Sequence, residues 1–199
     1  ANKNTWTQLP AVTPVQGLHA TSGDIVGGKL WIFGGKNEGG TQGVWHDSLL
    51  SLDISNDDGW LPTGTWTVVT QGQTDGIAAR NGHTVTAAMG NLYVFAGWNN
   101  TEGHGDPSAY FNDLWVFSTN SGKWKQLNPS GTLPLARDGH STVAYDGKLI
   151  VFGGWGKHDA YLNDMWAYDI VGNAWMMMQG DGAVVGPSPR YGQGATVYG

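Results

Sequence analysis

Three stretches of the chain repeat one succession of hydrophobic and polar positions. Each begins at a histidine, alternates apolar with polar residues, passes a Gly-containing turn, and ends in an apolar run followed by small residues. The copies span 19–35, 83–98 and 140–155, and the last reads HSTVAYDGKLIVFGGW. Alternation with a period of two, rich in β-branched and aromatic residues, favours strands over helices. Each copy is therefore predicted to be two strands joined by a tight turn.

A second pattern follows each copy after a stretch of variable length. A polar pair leads into another apolar run, and the three runs are DSLLSLD (47–53), NDLWVFS (112–118) and NDMWAYD (163–169). A tryptophan then closes each unit, at Trp66, Trp124 and Trp175. These segments are predicted to be a third and a fourth strand. Each closing tryptophan is expected to pack between neighbouring sheets, because burying large rings is strongly favourable.

The second strand of each unit is apolar on both faces, as in KLIVF at 148–152. A strand with this pattern lies in a sheet that is covered on both sides. Repeated four-stranded antiparallel sheets that cover one another describe the blades of a β-propeller. The sequence therefore predicts an all-β chain with three full blades, at approximately 17–69, 80–127 and 137–178.

The two ends of the chain each look like part of a unit. Residues 5–9 (TWTQL) match the closing strand at 123–127, and residues 190–198 match the first strand at 137–145. Propellers contain roughly four to eight blades, and open blade edges promote aggregation. We therefore expect residues 1–199 to be one segment of a six- or seven-bladed propeller. The alternative is a dimer that pools two sets of three blades.

Together these features resemble the kelch repeat: the histidine, the apolar run into Gly-Gly, the Asn-Asp-apolar-Trp pattern and the closing tryptophan. The resemblance covers nearly the whole chain, with three departures. Ala96 replaces the first glycine of its pair, Asp47-Ser48 replaces Asn-Asp, and Gln193 stands where a fourth histidine would fall. The resemblance implies a propeller that serves as a protein-binding module. It also keeps open a carbohydrate-active role, as in kelch-like copper oxidases and sialic-acid mutarotases.

The amino-acid composition agrees with short strands and excludes several kinds of catalytic and metal-binding site. The 199 residues include 32 glycines and 11 tryptophans, and only 13% are charged. There is no cysteine, which excludes disulfides, thiolate metal ligands and the Cys–Tyr cofactor of the copper oxidases within this segment. No GxSxG, HExxH or phosphate-loop motif occurs, so the sequence offers no catalytic residue and no cofactor. We expect a binding module rather than an enzyme.

Charge and hydropathy bear on the class of partner. The net charge is −6 and no Lys/Arg-rich block occurs, which argues against nucleic acid. No apolar run reaches the roughly 18 residues of a transmembrane helix, so we expect no membrane insertion. The low charge and the absence of cysteine slightly favour a secreted or cell-surface location over the cytoplasm, without settling the compartment.

The loops after the second strands and the loops that enter each unit are predicted to emerge on one face, here called the loop face. The first set spans 36–46, 98–111 and 155–162. The side chains predicted to gather there are Trp45, Trp98, Tyr110, Trp155, Tyr161 and His158. Exposed aromatic rings on loops are typical of protein-binding surfaces. A partner protein is therefore the leading expectation, and a carbohydrate is the alternative.

Repeated charged and metal-ligating residues have two interpretations. Arg80, Arg137 and Arg190 each precede a His or Gln by three residues. They either form a ring of anion contacts at the mouth of the channel or pair with an aspartate of a neighbouring blade, such as Asp113 or Asp164. The second interpretation is favoured, because a residue repeated in every unit usually serves the scaffold.

The histidines follow the same reasoning. His83 and His140 are expected to pack beside the channel rather than to bind a metal. A weak metal candidate lies elsewhere, in Glu102, His104 and Asp106, which alternate along a loop and so share one side of an extended chain.

Overall fold

The computed structural model describes residues 17–37, 43–55, 66–72, 76–99, 109–156 and 160–198. These residues form fifteen β-strands and no α-helix. The first sheet has the order β1-β2-β5-β6, and its strands are β1 (Ser22–Val26), β2 (Lys29–Phe33), β5 (Leu49–Asp53) and β6 (Thr67–Thr70). A short two-stranded ladder joins β3 (Lys36–Asn37) to β4 (Val44–Trp45). All pairings in these two sheets are antiparallel.

The second and third sheets repeat this order. The second contains β7 (Thr84–Ala88), β8 (Asn91–Trp98), β9 (Tyr110–Ser118) and β10 (Lys123–Leu127). The third contains β11 (Arg137–Asp138), β12 (Ser141–Tyr145), β13 (Lys148–Gly156), β14 (Ala160–Asp169) and β15 (Ala174–Gln179). Here β11 and β12 both pair with β13. The all-β architecture of four-stranded antiparallel units is thus confirmed.

The sheets stack face to face through two hydrophobic clusters. The middle strand β8 serves both, since Leu92 and Val94 belong to the cluster with the first sheet, while Tyr93 and Phe95 belong to the cluster with the third. This division explains why β8 is apolar at every position from Leu92 to Phe95. Burial on both faces removes the need for alternation.

Two of the three closing tryptophans, Trp124 and Trp175, join neighbouring sheets as predicted. The ring of Trp124 lies 5.1 Å from that of Phe33 in the first sheet. The ring of Trp175 lies 5.0 Å from that of Phe95 in the second sheet. Each tryptophan therefore fills the space between its own sheet and the preceding one.

The first histidine does not align with the other two. His19 pairs with Lys36 as Asn81 pairs with Trp98. Thr21 therefore occupies the place of His83, and the predicted alignment is wrong by two residues. A shift of two residues keeps every side chain on the same face of a strand. The hydrophobic pattern therefore cannot distinguish the two alignments.

A chain of backbone hydrogen bonds fixes the correct alignment. The amide of Gly82 donates to the carbonyl of Ala20 at 2.9 Å, and Gly139 donates to Gly82 at 2.7 Å. Gly192 then donates to Gly139 at 2.7 Å. These bonds place Gln193 in register with His140, as the sequence predicts.

The terminal segments differ in what the structure describes. Residues 5–9 lie outside the described residues. Residues 190–198 lie within them but form no strand, because no described strand makes a ladder with this segment. The segment nevertheless follows the path of a first strand, since Ala195–Val197 border the same cavity as β1, β7 and β12. That cavity has a volume of about 590 Å³ and lies where the first strands of the sheets meet.

Candidate ligand-binding site

An aromatic pocket of about 270 Å³ lies between the second and third sheets. Its lining residues are Trp98, Tyr110, Asp138, Trp155, Tyr161 and Tyr191. The sequence predicts four of these side chains on the loop face, and the structure brings those four together in one depression. It adds Asp138 and Tyr191, which the sequence reading missed.

Paired strand ends position the four predicted rings. Trp98 lies opposite Tyr110 in the β8–β9 ladder, and Trp155 lies opposite Tyr161 in the β13–β14 ladder. In both ladders the register shifts just before these pairs, after Phe95 and after Phe152. Such bulges bend a strand and redirect the side chains beyond them. The bulges thus turn the aromatic ends of the hairpins toward one shared depression.

The third-sheet rings meet at steep angles. The Trp155 and Tyr161 ring centroids lie 4.4 Å apart with the ring planes at 89°. Tyr191 lies 6.2 Å from Trp155 at 63° and 5.7 Å from Tyr161 at 47°. Three rings therefore form a cup rather than a flat stack.

Trp45 extends the row of aromatic rings into the first sheet without lining the pocket. Its ring lies 5.6 Å from that of Trp98. Its partner in the β3–β4 ladder is Lys36, which stands in register where Trp98 and Trp155 stand in the other sheets. The Lys36 ammonium lies 4.4 Å from the centre of the Trp45 ring, which is the geometry of a cation–π contact.

Asp138 is the one charged residue among the described residues that line the pocket. It lies on β11 opposite Trp155, and Gly82 lets it approach the second sheet, since a Cβ at residue 82 would fall 3.0 Å from Asp138 Oδ2. Burial raises the pKa of the Asp138 carboxyl to about 6. In the described part of the chain, no basic side chain forms an ion pair with Asp138.

Tyr191 reaches the pocket because its ring lies close to the backbone of Gly139. A Cβ at Gly139 would lie 2.9 Å from Tyr191 Cδ2, so only glycine lets this ring settle over the backbone. The sequence motif Arg-x-Gly could have pointed to both residues that the sequence reading missed. Asp138 and Tyr191 are the variable middle residue of that motif, between Arg137 and Gly139 and between Arg190 and Gly192.

Two of the three repeated arginines form buried ion pairs with aspartates. Arg80 and Arg137 are completely buried. The Arg80 guanidinium donates to both carboxylate oxygens of Asp113, at 2.6 and 2.9 Å, and that of Arg137 donates to both oxygens of Asp164, at 2.7 and 2.7 Å. Each aspartate belongs to the same sheet that its arginine enters, not to a neighbouring blade.

For Arg80 and Arg137 these contacts agree with the favoured interpretation of pairing with Asp113 and Asp164, and they contradict the alternative of an anion ring. Guanidinium groups held by buried carboxylates cannot contact an anion at the mouth of the channel, so Arg80 and Arg137 serve the scaffold. Arg190 differs, since its side chain is exposed and bonds to the carbonyl and the hydroxyl of Ser188.

The first sheet lacks this ion pair entirely. Trp115 Nε1 and Trp166 Nε1 each donate to the aspartate of their own sheet at 2.7 Å, which makes a unit of arginine, aspartate and tryptophan. The strand registers place Leu18, Ser48 and Leu50 at the corresponding positions of the first sheet. The three members of the unit are therefore replaced together.

His83 and His140 lie buried beside the cavity of the first strands. Burial, and then the charge of Arg80, lowers the pKa of His83 to about 3. Burial, and then the charge of Arg137, lowers the pKa of His140 well below its usual value. Each ring stands edge-on to a phenylalanine of the preceding sheet, with centroids 5.3 Å apart for His83 with Phe33 and for His140 with Phe95. Both are thus neutral packing groups.

Other predicted site residues fall outside the description. Glu102, His104, Asp106 and His158 are not among the described residues. Across the ranges that are described, no three His, Cys, Asp or Glu side chains cluster closely enough to share a metal ion. The same ranges contain no helix of the length and hydropathy needed to cross a membrane.

Comparison with known proteins agrees with the all-β fold. The family model of the KLHDC2/KLHL20/DRC7 Kelch-repeats domain matches residues 1–199. The chain belongs to the kelch-repeat family. A relative, Kelch domain-containing protein 3 of Bos taurus, is 30% identical over 100% of this chain and 50% of its own length. The Homo sapiens protein of the same name is 30% identical over 88% of this chain and 44% of its own length.

A further relative shows how widely the repeat is used. The Rho GTPase-activating protein gacHH of Dictyostelium discoideum is 33% identical over 76% of this chain but only 9% of its own length. The chain spans about half the length of the first two relatives. The kelch family implies a β-propeller, and kelch domains typically act as protein-interaction modules.

Proposed function

We propose that this kelch domain binds a partner protein through its loop face, with the aromatic pocket as the centre of contact. The observation that carries the proposal is the gathering of Trp98, Tyr110, Trp155 and Tyr161 into one depression around a carboxylate. Energetic centres of protein interfaces are enriched in Trp and Tyr that sit in pockets. No such concentration is needed to hold the sheets together, since the two hydrophobic clusters lie between them.

The exposure of the rings supports this role. Tyr161 and Tyr191 are 49% and 56% exposed, although each touches another ring of the pocket. A tyrosine held by its neighbours loses little conformational freedom when a partner covers it. Tyr161 and Tyr191 are therefore ordered before binding and still have apolar surface to bury, whereas Trp98 is already buried.

Paired variants test the proposal. Tyr161→Ala removes a ring of the pocket, and Tyr145→Ala removes a ring that is 63% exposed at the opposite end of the third sheet. Proteins captured by the wild type and by Tyr145→Ala, but lost with Tyr161→Ala and Trp155→Ala, are purified and their affinities measured. We expect at least a tenfold loss for the pocket variants, typical of a central aromatic residue. Equal capture by all four proteins contradicts the proposal.

A carbohydrate ligand is the second candidate, and the same pocket is the reason to consider it. Aromatic rings beside a carboxylate can stack on the apolar face of a sugar and accept hydrogen bonds from its hydroxyls. A glycan array and a sugar mutarotation assay with the full-length protein test this candidate. Binding that is lost with Trp155→Ala supports it, and the absence of both binding and turnover rejects it.

A further inference from the structure

We propose that the aromatic pocket binds an alkylammonium group, the end of a lysine side chain carried by the protein partner. This inference rests on the proposed function, because it names the chemistry that the same pocket recognises. It is carried by three observations: the charge of the pocket, the arrangement of its rings, and a contact that the chain already makes with its own lysine.

The charge of the pocket favours a cation. Asp138 is the only carboxylic acid among the described residues that line the pocket, and it forms no ion pair with any of their basic side chains. The ring faces of Trp and Tyr carry partial negative charge and attract cations within about 6 Å of the ring centre. The carboxylate and the ring faces therefore both attract a cation, and both disfavour an anionic ligand. Burial raises the pKa of the Asp138 carboxyl, and no basic side chain of the described residues offsets the cost of burying its charge.

The shape of the pocket favours an ammonium over a guanidinium. The planes of Trp155 and Tyr161 stand at 89°, and Tyr191 is inclined to both. A planar guanidinium is best held between parallel ring faces, whereas a compact ammonium interacts equally from any direction. The volume of about 270 Å³ lies just below the roughly 300–1,000 Å³ of small-molecule pockets, which suits one side chain.

In the first sheet, a lysine of the chain itself makes the ammonium–ring contact that we propose for the partner's lysine. Lys36 there takes the register position that Trp98 holds in the pocket, and its ammonium rests on the ring of Trp45. At the position of Asp138, the corresponding residue on the strand entering the second sheet is Asn81, which carries no charge. Among the described residues, the acid is therefore present where the chain places no lysine, and it is absent where the chain places one. This reciprocal arrangement is what a site for a foreign ammonium requires.

Methylation of the lysine is expected to strengthen binding. Methyl groups lower the cost of removing the ammonium from water, and aromatic cages exploit this in recognising methylated lysine. A dimethylated ammonium still keeps one N–H, which can donate to the Asp138 carboxylate. Unmodified and methylated lysine share the chemistry proposed here, and the experiment separates them.

The test is a titration of the full-length protein followed by NMR of the tryptophan indole signals. The probes are N-acetyl-lysine methylamide, its dimethyl and trimethyl forms, N-acetyl-arginine methylamide and the neutral N-acetyl-norleucine methylamide. Signals are assigned with Trp98→Phe and Trp155→Phe. We expect at least one lysine probe to shift the Trp155 signal with an affinity at least tenfold above that of norleucine, in line with a partly desolvated cation–π site.

Asp138→Asn supplies the matched variant, since it removes the charge and keeps the shape. It should weaken the best lysine probe about tenfold and leave norleucine unchanged. Asp138→Ala repeats the comparison if the first variant does not fold. Equal binding of lysine and norleucine probes, no effect of removing the charge, or tighter binding of arginine than of every lysine probe would each overturn the inference.

The outcomes also separate this inference from the proposed function. Loss of partner capture in Tyr161→Ala, without any preference for ammonium probes, retains the loop face and rejects the ammonium site. Ammonium binding that depends on Asp138, with partner capture unchanged in Tyr161→Ala, retains the site and rejects the loop face as the centre of partner binding.

Discussion

The guanidinium of Arg137 forms two hydrogen bonds of 2.7 Å with the carboxylate of Asp164, and the side chains of both residues are buried. The same carboxylate accepts a hydrogen bond from Trp166 Nε1. Removing one partner from a buried ion pair leaves an uncompensated charge, whereas removing both does not. The pair is therefore a stability element whose two halves depend on each other.

Replacing only Asp164 should be more damaging than replacing the pair. We expect Asp164→Ser to lower the free energy of unfolding by about 3–5 kcal/mol, because Arg137 stays buried without a carboxylate. The double variant Arg137→Leu/Asp164→Ser reproduces Leu18 and Ser48 of the first sheet and should recover part of that loss. Urea unfolding measures both. Equal losses in the single and double variants would contradict the argument.

His83 should make the fold sensitive to acid. Its pKa is about 3 in the folded protein and about 6.5 in the unfolded chain, so its stabilising contribution is complete above pH 6.5 and falls as the pH drops toward 3. Between pH 6.5 and 5 the loss is about 2 kcal/mol. The variant His83→Gln places at this position the residue found at 193, and its unfolding midpoint should fall less steeply with acid. Parallel pH profiles of variant and wild type would exclude this role.

The strands and their burial can be predicted from the sequence because they depend on the order of apolar and polar residues within short segments. The apolar run of β8 indicates burial on both faces, and Leu92 and Tyr93 do belong to different clusters. The position of His19 could not be predicted, since a slip of two residues preserves the face of every side chain. The pairing of His19 with Lys36 and the hydrogen bond from Gly82 to Ala20 decide the alignment.

The candidate site is less predictable because it is assembled from different units. Trp98 and Trp155 stand out as aromatic residues that begin variable loops. Asp138 and Tyr191 do not stand out, since each occupies a variable position and reaches the pocket only through contact between neighbouring units. The partner of Arg80 illustrates the same limit. The sequence indicates Asp113, but the order of strands decides that both belong to one blade.

Asp138 should reduce the stability of the protein at neutral pH. Its pKa is about 6 in the folded protein against 3.8 in the unfolded chain, so its contribution is most favourable below pH 3.8 and is lost as the pH rises through 6. We expect Asp138→Asn to be more stable than the wild type at pH 7, by about 3 kcal/mol. The difference should vanish near pH 3.5. A variant that is less stable at pH 7 would show that the carboxylate already has a compensating partner.

Gly139 should be required for the pocket and not only for the backbone. It has a φ of 59°, and a Cβ there would lie 2.9 Å from Tyr191 Cδ2. Gly90 is the matched control, since its φ is 74° and a Cβ there would meet nothing within 4 Å. Alanine at either position carries a backbone penalty of about 1–2 kcal/mol. Only Gly139→Ala should also displace Tyr191, because an added methyl group would collide with its ring. We expect Gly139→Ala to reduce stability more than Gly90→Ala in urea unfolding and to shift the NMR signal of the Trp155 indole. Equal destabilisation and an unchanged Trp155 signal would show that Tyr191 does not depend on the close approach at Gly139.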